Sequence, residues 1–171
     1  NMICNVPGIT GMVMTAFAAT CGSLVCNRIG AGHTYGVPGT IRQHIRIAYA
    51  FVLPLAVFFA LCPKLILSVY TDMPELQEAA VPSLWVLCSA YLFLVPANVY
   101  FQSVSGTGNT RTALALEMIT LVVYTCYITY IVAYLKLDVA FAWTSEIVYS
   151  VGILVLCYFF MKKGKWSLKK I

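Results

Sequence analysis

Two carboxylates, Glu117 and Glu146, stand inside long apolar runs. A charge at such a place costs about 3 kcal/mol or more, so an acid retained there is a candidate proton- or cation-responsive group. Glu117 comes five residues after the start of its run, about 8 Å from one face at 1.5 Å per residue, and Glu146 comes seven after the start of another, about 11 Å from the opposite face. Their levels then differ by roughly 12 Å in a core of about 30 Å, and they are expected to act separately. Glu146, flanked by Trp143, Thr144, Ser145 and Tyr149, is the stronger candidate for coupling to an ion; its plainer reading is a hydrogen bond to a neighbouring helix. For Glu117 the plainer reading is reaching the headgroups or pairing with Arg111, six residues back.

Uncharged groups extend the set. Asn98 and Gln102 lie one helical turn apart, with Tyr91 and Tyr100 nearby, and amides can hold a substrate or an ion without the cost of a charge. Joining helices is their other reading. Tyr124, Tyr127, Tyr130 and Tyr134 recur at i, i+3, i+6 and i+10, roughly one helix face. Such a face can line a cavity for aromatic cations, or serve as packing surface. Pro96 interrupts the backbone ladder and is a candidate hinge or a fixed kink. His33 and His44 read as residues of a solvated loop. The seven cysteines are scattered without a C-x-x-C or a histidine at ligand spacing, so no metal or redox site is expected, and no nucleophile–base pair or phosphate loop supports an enzyme.

The elements that must position these residues are membrane helices. Of 171 residues 61% are hydrophobic and 10% charged, with a mean hydropathy of +0.85. A soluble domain carries about 25% charged residues. The formal net charge of +5 is not a nucleic-acid signal, because the cations sit at the ends of apolar runs. Five runs are long enough to cross a bilayer: 1–26, 45–69, 80–102, 112–135 and 139–161, followed by a basic tail, 162–171. None alternates with the period of a barrel strand. Between them come a Gly-rich loop over 29–44, an acidic connection over 70–79, a tight turn within 103–112, and a short turn at 136–138. The fold class is therefore an all-α integral membrane protein, a bundle of five transmembrane helices.

Lysine and arginine placement orients the bundle. With the tail cytoplasmic, Arg28, Arg42, Arg46, Arg111, Lys162, Lys163, Lys165, Lys169 and Lys170 all fall inside, while Lys64 and Lys136 fall outside. Nine cations against two supports five spans in a plasma (inner) membrane, with the lipid bilayer as solvent. Trp85, Trp143 and Trp166, with Tyr70 and Tyr134, suit an aromatic belt. The chain opens Asn1-Met2-Ile3-Cys4 with no basic leader, and a start outside the cell leads to the expectation that it begins part-way into a larger protein.

The turn Ser105-Gly106-Thr107-Gly108-Asn109-Thr110-Arg111 resembles the G-x-G-[ND]-T-[RK] turn of the multidrug and toxic compound extrusion (MATE) transporters, between the tenth and eleventh of their twelve helices. The run Asn27-Arg28-Ile29-Gly30-Ala31-Gly32 is similar to that family's Gly-rich step after the eighth helix. The structural turn residues are thus Gly30, Gly32, Gly106, Gly108, Asn109 and Arg111. The resemblance covers essentially the whole chain as helices eight to twelve, most of the C-terminal lobe of a two-lobed fold. It implies an antiporter that exports bulky, often cationic small molecules in exchange for Na⁺ or H⁺ by alternating access, with no other cofactor. It also implies an N-terminal lobe as partner, without which these five helices would not transport. Some members couple through an Asp in the tenth helix; the matching run, 80–102, has no carboxylate, and that site is not carried over. The alternatives are a lipid-linked oligosaccharide flippase half, which would favour buried Arg or Lys at span centres, and a membrane interaction subunit without transport.

Overall fold

The computed structural model describes residues 2–63, 74–131, 143–163 and 166, with side-chain surroundings for 10–63, 81–131, 143–163 and 166. Five helices make up most of it: α1, Met2–Gly30; α2, Val37–Leu61; α3, Pro74–Gly106; α4, Thr110–Thr129; and α5, Thr144–Lys162. All five are long and apolar enough to cross a membrane, and no strand occurs among the described residues.

Several boundaries differ from the sequence reading. The first helix runs on through Asn27 to Gly30, and α2 starts at Val37, so most of the expected loop is helical. Pro38 explains the early start of α2, since its missing N–H and fixed φ suit a first turn. His44 is consequently a residue of α2, its Nδ1 2.9 Å from the Thr40 carbonyl oxygen, and not part of a loop. Pro54 lies inside α2, which continues to Leu61. The third helix begins at Pro74, six residues before the expected span, and takes Glu75 and Glu78 onto its first turns. The fourth and fifth spans are described as Thr110–Thr129 and Thr144–Lys162. The expected span ends over 64–69, 132–135 and 139–142, the connection at 70–73 and 136–138, Tyr70, Tyr134, and the tail at 164–165 and 167–171 lie outside the described residues.

α3 is the organising helix. It packs against α1, α2, α4 and α5, and α4 is held mainly by α5. One core cluster joins α1, α2 and α3 through Met14, Val52, Leu87 and Tyr91. A second gathers Val25 and Ile29 at the end of α1, Val37 and Ile41 at the start of α2, Val99, and Trp166. That cluster brings the end of α1, the start of α2, the last third of α3 and the end of α5 to one end of the bundle. Arg28, Arg42, Lys162 and Lys163 are thereby at the same end, and the short turn from α3 into α4 puts Arg111 there too. The outward faces carry Met12, Phe51, Leu61, Leu114, Met118 and Val122, all exposed, as lipid-facing helices require. Trp166 departs from the belt reading: it is 6% exposed, and its Nε1 donates to the Met161 carbonyl oxygen at 2.8 Å. Trp85, 57% exposed, keeps the outward position a belt residue needs.

Both helix ends at the basic face close on a left-handed glycine. After α1, Gly32 has φ 77°, with its N–H donating to the Ile29 carbonyl at 3.0 Å and the His33 N–H to the Arg28 carbonyl at 2.8 Å. That pair of bonds is the Schellman ending. After α3, Gly108 has φ 76° and donates to the Ser105 carbonyl at 3.1 Å. An L side chain at either position would sit in a strained region, roughly 1–2 kcal/mol uphill.

Candidate functional site

The two Gly-rich turns are tied together by a helix crossing. A Cβ placed on Gly106 would overlap the Gly22 carbonyl oxygen and lie 3.0 Å from its carbon. A Cβ on Gly22 would stand 2.8 Å from the Gln102 carbonyl oxygen. Backbone thus meets backbone where α1 crosses α3, the close approach that small residues allow in lipid. Gly106 ends α3 in helical conformation, so its part is this contact, while Gly108 makes the turn itself. Gly30 is the last residue of α1 and has open space around it. Asn109 turns its amide back to Thr107, donating to Oγ1 at 3.0 Å, and Thr107 Oγ1 donates to the Val104 carbonyl at 2.7 Å. Arg111 is exposed and lines a shallow recess formed by the turn itself.

Pro96 sits within a continuous α3. Lacking an N–H, it leaves the carbonyl four residues back, Leu92, without its helical donor. The Tyr49 hydroxyl of α2 donates to that oxygen. A neighbouring helix therefore satisfies the break, as bilayers demand. That Leu92 would be orphaned is readable from the proline alone; that Tyr49 supplies the bond needs the fold.

Toward the other end, four polar side chains gather between α1, α3 and α5. Thr10 is fully buried and Tyr91 is 1% exposed. Their hydroxyls lie near one another, and neither makes a hydrogen bond of good geometry among the described residues. The half-buried Glu146 is within electrostatic reach of the Tyr91 and Tyr149 hydroxyls. The Ser150 hydroxyl donates to the Glu146 backbone carbonyl. Two orphaned hydroxyls inside a packed bundle are uncommon and call for an explanation.

Glu117 lies apart. Along the helices, Glu146 is about 24 Å from the basic end of α5 and Glu117 about 10 Å from the start of α4. The two carboxylates thus stand about 14 Å apart along the bundle. The described α5 starts at Thr144, which puts Glu146 in its first turn, while the expected start at 139 lies outside the described residues. Glu117 makes no ion pair with Arg111; it faces α5, within reach of Tyr149 and Cys157.

Tyr124 and Tyr127 both face α5. Tyr124 meets Tyr149 edge to face, with ring centroids 6.1 Å apart, and the Tyr127 and Thr144 hydroxyls are 3.1 Å apart. Tyr130, 56% exposed, points outward. Asn98 is half-buried and donates to the Leu94 carbonyl of its own helix at 3.0 Å, with Met14 Sδ at 3.9 Å. Gln102 lines an open groove between α1 and α3 together with Ser23, Cys26 and Ser105. The fold therefore brings Glu146 to Tyr91, and does not bring Gln102 or Tyr130 to them. Among the described residues no three of His, Cys, Asp and Glu gather as a metal ion would need, and the six described cysteines are free.

Thr10, Gly22 and Tyr49 belong to this account but stand out weakly in the sequence. Gly22 carries a signal, the small-residue stretch it shares with Ala18, Ala19 and Ser23. Thr10 carries none, since a threonine in an apolar helix ordinarily bonds its own backbone.

No curated protein and no solved structure matches the chain. A family model, MatE, matches residues 2–135 of the 171, which takes in the helix crossing, both Gly-rich turns, Tyr91 and Pro96, and ends before Glu146. With five bilayer-length helices as its frame, the chain belongs to the MatE family of membrane transporters.

Proposed function

We propose that this chain forms most of the C-terminal lobe of a secondary active antiporter. It would export bulky, amphipathic and often cationic compounds in exchange for Na⁺ or H⁺, against an N-terminal lobe of the same protein. The supporting observation is the polar group formed by Thr10, Tyr91 and Glu146 within an otherwise apolar bundle, in a member of a transporter family. A carboxylate beside two unpartnered hydroxyls can take up a proton or a small cation, and neutralising it removes the penalty of a buried charge. That change in charge would be the event to which α1, α3 and α5 respond. The open groove between α1 and α3, with Gln102 and Ser105, would be the part of the substrate path this lobe contributes. Tyr49 bound at the Pro96 break would hold α3 in one bend, making that break a place where bending can be switched.

The test is efflux of a cationic dye from proteoliposomes of the full-length protein, with Na⁺ and H⁺ gradients imposed separately. One of the two gradients is expected to drive accumulation and its dissipation to abolish it. A folded full-length protein that moves no dye under either gradient would remove the reading. Movement of a lipid-linked oligosaccharide without a gradient would replace it with the flippase reading.

A further inference from the structure

At the basic end of the bundle, α2, α3 and α5 leave a cavity of about 250 Å³ between them. Two cations open onto it, Arg42 from the second turn of α2 and Lys162 from the last residue of α5. Among the described residues its lining holds no carboxylate. Tyr100 and Tyr158 meet edge to face along it, ring centroids 5.8 Å apart at 80°, and Tyr100 lies within electrostatic reach of Arg42. The buried Trp166 fixes one side by its bond to the Met161 carbonyl. The start of α2 and the end of α5 meet there, so their dipoles oppose one another and the sign of the site is set by its side chains.

We propose that this cavity binds the phosphate headgroup of an anionic lipid from the adjoining leaflet. Two cations without a carboxylate are matched by one phosphate. The remaining walls are aromatic and aliphatic, which suits the glycerol and upper acyl chain of a lipid and would leave a free phosphate ion poorly solvated. The level is right as well, because the cavity opens where five helices end and where Trp and Tyr side chains meet headgroups. This inference rests on the membrane bundle and not on the coupling reading above.

The test is native mass spectrometry of delipidated full-length protein titrated with phosphatidylglycerol or phosphatidylcholine. Phosphatidylglycerol is expected to be retained about 25-fold better, at roughly a fivefold gain for each of the two cations. Arg42→Gln combined with Lys162→Gln should bring the two lipids to within about twofold of each other. Arg42→Lys should keep the preference, as should Lys163→Gln, which removes an exposed charge one residue outside the cavity. If the double variant is recovered poorly, Lys162→Gln alone, losing about fivefold, reads the same effect. Equal retention of both lipids, or a loss with Lys163→Gln as large as with Lys162→Gln, overturns the proposal. So does displacement of the lipid by millimolar inorganic phosphate, which would assign the cavity to a soluble anion.

Discussion

Gly106→Val in the full-length protein is expected to lower its melting temperature by roughly 5–10 °C and to cut the yield of monodisperse material severalfold. The reason is geometric. The added carbon would overlap the Gly22 carbonyl, with the Gly22 carbonyl carbon at 3.0 Å and its Cα at 3.1 Å, and all of these are backbone. No rotamer can relieve such a clash, so α1 and α3 must separate. Overpacking of this kind costs about 1–3 kcal/mol, occasionally more, against a total stability of only about 5–15 kcal/mol. At about 2–4 °C per kcal/mol for a domain of this size, the stated shift follows. Separation would also loosen contacts built around Ser103, which lies 3.5 Å from Cys21 across the same crossing. Gly22→Ala should fall in the same direction and by less. Gly11→Ala, on the same helix as Gly22 but with open space around it, should be neutral or slightly stabilising, because alanine is the better helix former. Equal melting of Gly106→Val and Gly11→Ala in a thermal-shift series would show that the helices do not cross so closely.

The second large effect concerns Glu146. Glu146→Gln keeps the shape and removes the charge and the exchangeable proton, so gradient-driven transport should fall tenfold or more while dye binding stays within about threefold. Tenfold corresponds to about 1.4 kcal/mol of lost coupling. Tyr91→Phe, which removes one orphaned hydroxyl, should shift the dependence on the driving ion by a smaller factor. Glu117→Gln serves as the matched comparison, since Glu117 lies about 14 Å away along the bundle and faces Cys157. Transport by Glu146→Gln at the wild-type rate and ion dependence, measured by dye accumulation at saturating gradient, would assign that carboxylate to packing alone.

How much of this could be read beforehand depended on which interaction carried the signal. Span number and the basic end were legible because lipid imposes one rule on twenty consecutive residues at a time, and the errors that remained were at ends. Val37–His44 reads as loop by Pro38, Gly39 and its polar residues, yet Pro38 at the first turn and the burial of Val37 and Ile41 make it helix. The turn glycines were legible for a similar local reason, since Gly32 and Gly108 answer to φ alone. The contacts were not. Gly106 and Gly22 are 84 positions apart, Tyr49 and Leu92 are 43 apart, and no periodicity announces either pair. The spacing of Tyr124 and Tyr127 puts them on a common side of α4, but which helix that side meets is a property of how α4 lies on α5.

Everything here depends on five membrane crossings with the basic ends together in the cytoplasm, and a cysteine scan of the full-length protein tests that directly. In a cysteine-free background, Tyr35→Cys, Thr110→Cys and Lys163→Cys would be probed with a membrane-impermeant maleimide, beside Asp138→Cys in the expected far-side turn. Tyr35, Thr110 and Lys163 are all exposed at the basic end. The account predicts that these three react only when the cytoplasmic face is open to reagent, and that the residue-138 cysteine reacts only from outside. Labelling of positions 35 and 163 from opposite faces, or of all three from outside, would contradict it.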